Sequence, residues 1–156
     1  MPVDSAASAA LARSLMRETR TAALATLDAS GGPFTSFVTM APADDGSPLM
    51  LLSRLAVHTR NLQRDRRASL LLVRKSSPGS ESMATARLTL TGHALRDDDP
   101  ASGRVFLACH PDAALYSNFA DFCVYRFTIA AGHLVAGFGQ IVSLVPDELT
   151  DVRPGK

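Results

Sequence analysis

Apolar and polar residues alternate along this chain in short runs divided by turn signals, and the spacing becomes helical in only four places. The first is at the start, where Asp4 or Ser5 caps a helix whose apolar stripe is Ala7, Ala10, Leu11, Leu15 and Met16, giving an N-terminal helix within residues 1–20. A strand over 21–27 follows, then a hairpin turn, Asp28-Ala29-Ser30-Gly31-Gly32-Pro33, and a partner strand from Phe34 to Ala41. Alternation in that partner puts Thr35, Phe37 and Thr39 on one side and Phe34, Ser36, Val38 and Met40 on the other. Hydroxyl and apolar groups thus share both faces, as in a strand that lines a ligand cleft or runs near a sheet edge. After the turn at 43–48, an apolar strand reaches Ser53, a helical spell runs from about Val57 to Asp65, and 68–73 is apolar again.

The second half repeats the pattern. A polar loop at 75–82 precedes the strictly alternating 86–94, with Leu88, Leu90 and Gly92 on one face and Arg87, Thr89, Thr91 and His93 on the other. Asp97-Asp98-Asp99-Pro100 starts a helix ending near Cys109, and Pro111 to Phe122 reads as a second short helix with Tyr116, Phe119 and Phe122 as an aromatic stripe. Residues 123–128 and 132–136 read as a closing hairpin, Gly137-Phe138-Gly139 as a flexible break before 141–144, and 146–156 as a loosely held tail. Counted this way, about six strands joined mostly by tight turns predict a mainly β, α+β protein: a single domain over 1–156, with antiparallel strands in a closed or nearly closed barrel and helices outside.

Composition changes this picture little, but it removes function classes. A net charge of +1 gives no general pull toward nucleic acid, so any basic patch is local. No apolar run approaches the roughly 20 residues of a membrane span, and the N-terminus lacks the basic start and long apolar segment of a signal peptide, so the expected compartment is the cytoplasm. Cys109 and Cys123 fit no metal-ligand spacing and read as buried free thiols, a disulfide being the alternative. Neither GxGxxG nor GxxxxGK[ST] is present.

Candidate chemistry gathers between 53 and 74, where Ser53, Arg54, His58, Thr59, Arg60 and Asn61 crowd a helix start. Unpaired N–H groups and the positive end of the helix dipole suit a phosphate there, although a solvated polar turn with a basic surface helix has the same composition. Arg87, among threonines on its strand, offers a rigid fork of donors to an anionic or polar ligand edge, or faces water.

Five stretches in order carry a resemblance: Leu52-Ser53-Arg54-Leu55-Ala56-x-His58-Thr59-Arg60-Asn61-Leu62; Arg67-Ala68-Ser69-Leu70-Leu71; Ala86-Arg87-Leu88-Thr89-Leu90-Thr91-Gly92; Tyr116-x-x-Phe119-x-Asp121-Phe122-x-x-Tyr125-Arg126; and His133-Leu134-Val135-x-Gly137-Phe138-Gly139. The chain resembles the FMN-binding split-barrel family related to pyridoxamine 5′-phosphate oxidase, within its branch of HugZ-type haem-utilisation proteins. The resemblance implies a homodimer with FMN clefts at the subunit interface. It places Ser53, His58 and Thr59 at the FMN phosphate with Arg54 beside them, Arg87 at the polar edge of the flavin ring, and the backbone of Val38 and Thr39 beside the isoalloxazine. Arg60, Arg64, Arg66 and Arg67 then read as surface residues.

Two departures shape the functional expectation. The Arg-x-His-type segment with which vitamin B6 oxidases hold their substrate has no counterpart after Gly139, so pyridoxamine phosphate oxidation is not expected. Longer HugZ-type proteins carry a C-terminal segment with a haem-ligating histidine, and the sequence ends at Lys156 without it, which leaves His93, His110 and His133 as replacements. No residue pair forms a catalytic dyad, consistent with a cofactor that carries the electron chemistry. The first expectation is therefore an FMN-dependent oxidoreductase acting on a small molecule. The alternatives are a haem-binding or haem-degrading protein using the same cleft, and a flavin binder without turnover.

Overall fold

The structure is a computed structural model and describes residues 4–116, 118 and 120–151. Its elements are α1 (Ser5–Glu18), β1 (Thr21–Leu27), β2 (Pro33–Pro42), β3 (Pro48–Ser53), α2 (Val57–Arg64), β4 (Arg67–Val73), β5 (Arg87–Arg96), α3 (Pro100–Cys109), β6 (Phe122–Gly137), β7 (Gln140–Leu144) and α4 (Pro146–Leu149), with short 3-10 turns at Ser82–Ala84 and Pro111–Leu115. All strand pairs are antiparallel, in the order β3-β2-β1-β4-β5-β6-β7, and β3 also pairs with β6. That last pairing closes six strands into a barrel and leaves β7 as an extra strand on β6, which is the split barrel expected from the sequence.

Alternation decides which side chains fill the barrel. Leu24, Met40, Leu52, Leu70, Leu88 and Phe127 point inward and are fully buried or nearly so. Asp4 caps α1 by accepting from the N–H groups of Ala6 and Ala7, and the helix lays Ala12, Leu15 and Met16 on the core. The buried stripe is Ser8, Ala9, Ala12, Leu15 and Met16: it keeps Leu15 and Met16 of the sequence reading, but Ala7 and Ala10 face solvent. Alanine carries too little apolar area to fix the phase of a stripe, and the packing of Leu15 and Met16 fixes it instead. Asp99 caps α3 as the acidic run predicts, and Phe106 anchors that helix in a second cluster with Ala41, Ala43 and Leu49.

Arg126 ties this outer helix to the barrel. Its Nε donates to Asp97 at 2.9 Å, Nη1 to Asp45 at 3.2 Å and Nη2 to the Ser102 hydroxyl at 3.3 Å, while that hydroxyl donates to Asp97 at 2.7 Å. One guanidinium thereby joins β6, the β2–β3 turn and the first turn of α3.

Three expectations are corrected. The supposed closing hairpin at 123–136 is one strand of 16 residues, β6, and Gly137-Phe138-Gly139 is the turn into β7. The helix expected from Pro111 to Phe122 stops as a 3-10 turn at Leu115, and although Tyr116 and Phe122 do meet at a ring separation of 5.0 Å, Phe119 lies outside the described residues. The tail begins as α4, whose Leu149 is buried against Gly132, while Arg13 donates to the Glu148 carbonyl at 2.7 Å and Glu148 accepts from the Val145 N–H; residues 152–156 lie outside the description.

Where β5 and β6 run together, a bulge between Thr91 and Gly92 shifts their register. A Cβ at Gly92 would collide with the carbonyl oxygen of Thr128, so the close approach requires glycine. Gly92→Ala is expected to destabilise the protein by about 2 kcal/mol or more, read as a lower urea midpoint; an unchanged midpoint would show that the strands can part there without cost.

Candidate functional site

The residues singled out by sequence form two groups. At the β3–α2 junction the chain turns sharply: the Ser53 hydroxyl accepts from the Leu55 N–H at 3.2 Å, and the Ser53 carbonyl accepts from the Ala56 N–H at 3.1 Å. Thr59, fully buried, donates its hydroxyl to that same carbonyl at 2.6 Å, fastening the helix to the strand end. Ala56, the residue before α2, supplies no side-chain cap, so the N–H groups of the first turn keep their donor capacity. Arg54 is half exposed and only loosely paired with Asp121, at 4.0 Å. Asn61 on the buried face of α2 donates to Thr26 at 3.0 Å and accepts from Arg64 at 2.7 Å, holding the helix on β1.

His58 sits half-buried in the same turn. Its Nδ1 shares a hydrogen bond of 2.9 Å with the Ser36 hydroxyl on β2, and its buried Nε2 has no partner. Ser36 is the neighbour of His58 that sequence reading passed over, and the signal for it was the hydroxyl on the otherwise apolar side of β2. Burial disfavours the imidazolium and pulls the His58 pKa below its ordinary value.

The second group lies elsewhere on the barrel. Arg87 pairs with Val73 of β4 and Val135 of β6, and its guanidinium reaches the carbonyls of Met83 and Thr85 at 3.3 and 3.4 Å. Thr39 faces Thr21, whereas Val38 is turned into the core. Since α2 leads into the Arg67 end of β4, Arg87 stands at the opposite end of that strand from the helix, and one chain does not bring the two groups together.

Between them runs an open outer face. The pairs Phe37–Ala23, Ala23–Leu71, Leu71–Thr89, Thr89–His133 and His133–Ser143 place these side chains in one row, and Val73, Arg87, Val135 and Ile141 form the next. Phe37 is 76% exposed, Leu71 38%, Val73 47% and Ile141 60%, an apolar surface beyond that of scattered single residues. His133 is exposed on β6, one strand from the β7 end of the row. The other histidines are placed differently: His110 Nε2 bonds the Met40 carbonyl at 2.7 Å and stacks on Phe106, and His93 lies opposite Arg67 at the far end of β5. Cys109 and Cys123 are free thiols, no cluster suited to a metal ion occurs among the described residues, and no helix among them is long and apolar enough to cross a membrane.

Comparison with known proteins gives this geometry a context. The family model "CREG, beta-barrel" matches residues 3–150. The haem oxygenase HutZ of Vibrio cholerae is 28% identical over 145 residues, which cover 86% of this chain and 80% of that protein. The chloroplastic haem oxygenase HOZ of Arabidopsis thaliana is 36% identical over 110 residues, covering 69% of this chain but only 33% of that longer protein. Among solved structures, a haem-binding protein from Mycobacterium smegmatis superposes with a TM-score of 0.84 at 33% identity, over 96% of this chain and 61% of that one. A protein from Clostridium acetobutylicum related to general stress protein 26, of the pyridoxinephosphate oxidase family, shares the fold at 16% identity and a TM-score of 0.70, over 94% of this chain and 99% of that one.

The His58 environment generates a pH prediction. Its folded pKa lies below the unfolded value near 6.5, so the unfolded chain binds the proton more readily, and this part of the stability is present above about pH 6.5 and lost as pH falls through and below it. Denaturation midpoints between pH 7.5 and 5 are expected to fall less in His58→Gln than in the wild type; parallel curves would mean that the imidazole is not held neutral.

Proposed function

The chain belongs to the CREG β-barrel family, in the split-barrel group with haem-oxygenase relatives, and from that premise we propose that it binds haem on the outer face of the barrel, within a homodimer, and takes part in haem breakdown. The observation that carries the reading is the exposed outer surface of β4 to β7, where apolar side chains stand near an imidazole with a guanidinium in the next row. Haem is a flat apolar disc with an iron that takes an axial ligand and two carboxylates at one edge. Leu71, Val73 and Ile141 supply apolar cover, and His133 and Arg87 are diagonal neighbours across β5 and β6. His133 is assigned as the iron ligand and Arg87 as the partner of a carboxylate. His110 is occupied by the Met40 carbonyl, and His58 has its free nitrogen buried.

A second copy completes the cleft in this reading. So much exposed apolar area is unfavourable in water and is removed when a second barrel packs on it. The same packing dries the face, which strengthens the pairing of Arg87 with an anionic edge. In this reading it would also bring the partner's α2 start to the ligand held on this face, which a single chain cannot do. When bound, haem is the substrate and the centre of the redox chemistry; the chain's own residues bind it, orient it and exclude water.

One observation favours flavin as a second reading. The uncapped first turn of α2, with Ser53, Arg54, His58 and Thr59 around it, suits the phosphate of FMN, and Thr39 and Arg87 suit its ring, as in an FMN-dependent oxidoreductase with a small-molecule substrate. Within that site Thr59 acts through the backbone it fastens rather than by its own hydroxyl, which already bonds Ser53.

Titration of the purified protein with haemin is expected to give a saturable, ligated Soret band that His133→Ala loses while retaining its fold by circular dichroism. Leu71→Asp is expected to turn a dimer into a monomer in analytical ultracentrifugation and to weaken haemin binding with it. Uptake of FMN with no ligated Soret band would overturn the haem reading in favour of the flavin one, and a wild-type monomer would remove the shared cleft.

A further inference from the structure

A second concavity lies away from this face, between the C-terminal half of α2, the end of β5 and the start of β6. Its volume is about 410 Å³, and Arg54, Arg64, Arg66 and Arg96 line it without a carboxylate in its wall. The chain as a whole is nearly neutral, with 16 lysines and arginines against 15 acids, so four guanidiniums around one cavity are a local excess. Neighbours leave much of their donor capacity free. Arg64 gives one nitrogen to Asn61, Arg96 gives its Nε to Asp98 at 2.6 Å, and Arg54 is only loosely paired with Asp121. The Arg66 side chain makes no hydrogen bond or ion pair among the described residues; only its carbonyl is engaged, by the Ala94 N–H. A guanidinium presents five donors in a fixed fork, so these contacts leave most of them unpaired. Leu62, Leu95 and the ring of Tyr125 add an apolar wall.

We propose that this pocket binds a small organic phosphate. Planar guanidinium forks match phosphate oxygens two at a time, several converging on one concavity favour a multiply charged group, and the apolar wall accommodates the body that carries it. The volume falls in the range of small-ligand sites, roughly 300–1,000 Å³. A nucleic-acid backbone is the competing anion, but it would call for a basic stripe along the surface, whereas these arginines surround a hollow. The pocket is also separate from the haem face: Arg96 is nine positions along β5 from Arg87, roughly 30 Å of extended strand. Arg54 is the one residue shared with the α2 start, so the test leaves it unchanged.

Cys123 lines the same cavity and reports its occupancy. Calorimetric titration of the full chain with inorganic pyrophosphate is expected to show saturable binding that weakens about tenfold or more when Arg66 and Arg96 are both replaced by alanine. In a Cys109→Ser background, pyrophosphate is expected to slow alkylation of Cys123 by iodoacetamide in the parent and not in the double variant. Arg66 and Arg96 are exposed, so their replacement leaves the core packing in place. Absence of saturable heat, equal affinity in the double variant, or alkylation indifferent to pyrophosphate would each overturn the assignment. Tighter binding of a short DNA duplex, lost in the same variant, would also overturn it and give the site to nucleic acid. Haemin binding is expected to be unchanged in the double variant, so failure here is distinguishable from failure of the haem reading.

Discussion

Hydrogen bonding of β3 to β6 closes the sheet on itself, and the rest of the molecule is placed by that closure. Ser53 pairs with Phe122 and Leu49 with Arg126, so the first half of β6 completes the barrel. Its second half, from Gly132 to Gly137, takes β7 as neighbour instead. One long strand therefore serves two sheet edges, and it must bend between them. Small residues at 130–132 and the bulge opposite, at Thr91 and Gly92, allow that bend. Because β3 ends at the closure, α2 starts there too, and Thr59 locks the turn to the strand by its bond to the Ser53 carbonyl.

Closure also decides which surfaces are left open to a ligand. Inward positions are consumed by the core, so ligand contacts are left to outward rows, helix starts and the barrel ends. On the outer rows, apolar side chains that cannot enter the full barrel stand in water beside His133 and Arg87. At the end covered by α2, polar groups meet in pairs instead, Ser36 with His58 and Thr26 with Asn61. Buried polar atoms need partners, and the unpartnered Nε2 of His58 is the exception among the described side chains.

Much of this was legible in the sequence where a local rule decides the outcome. Asp4 and Asp99 cap their helices because a carboxylate two or three residues before an apolar periodic run has little else to bond. The hairpins at 28–33 and 43–48 follow from glycine and aspartate at the turns, with Gly31 and Gly46 at positive φ. The parts that were not legible depend on neighbours distant in sequence. Residues 129–131 read as a turn between two strands, yet the chain runs on as one strand because β5 pairs with it on both sides of a bulge that leaves Ala130 without a partner. Residues 146–150 look like a tail, but the absence of a side chain at Gly132 makes room for Leu149. The arginines of α2 and β4 read as a solvated surface, because no linear pattern announces that Arg96, thirty positions after Arg66, closes a hollow with them.

The distribution of charge, rather than its total, is what separates the proposed sites. Acidic residues concentrate on the side of α3, where Asp97 and Asp45 surround Arg126. Asp97 shows how completely that cluster is balanced: its burial opposes ionisation, yet the hydrogen bonds from Ser102, the Asp99 N–H and Arg126 outweigh it and keep the carboxyl below its ordinary pKa. Asp97 and Asp45 are thus engaged with Arg126 and the start of α3, and of the arginines around the hollow beside α2 Arg96 is paired with Asp98 and Arg54 only loosely with Asp121. A protein with a formal charge of +1 can in this way hold a pocket lined by four arginines and no carboxylate. If both proposed ligands bind, the same segregation keeps them from competing: a largely apolar disc gains most from the wide outer surface, where area removed from water dominates, and a compact anion gains most where several guanidiniums line a hollow.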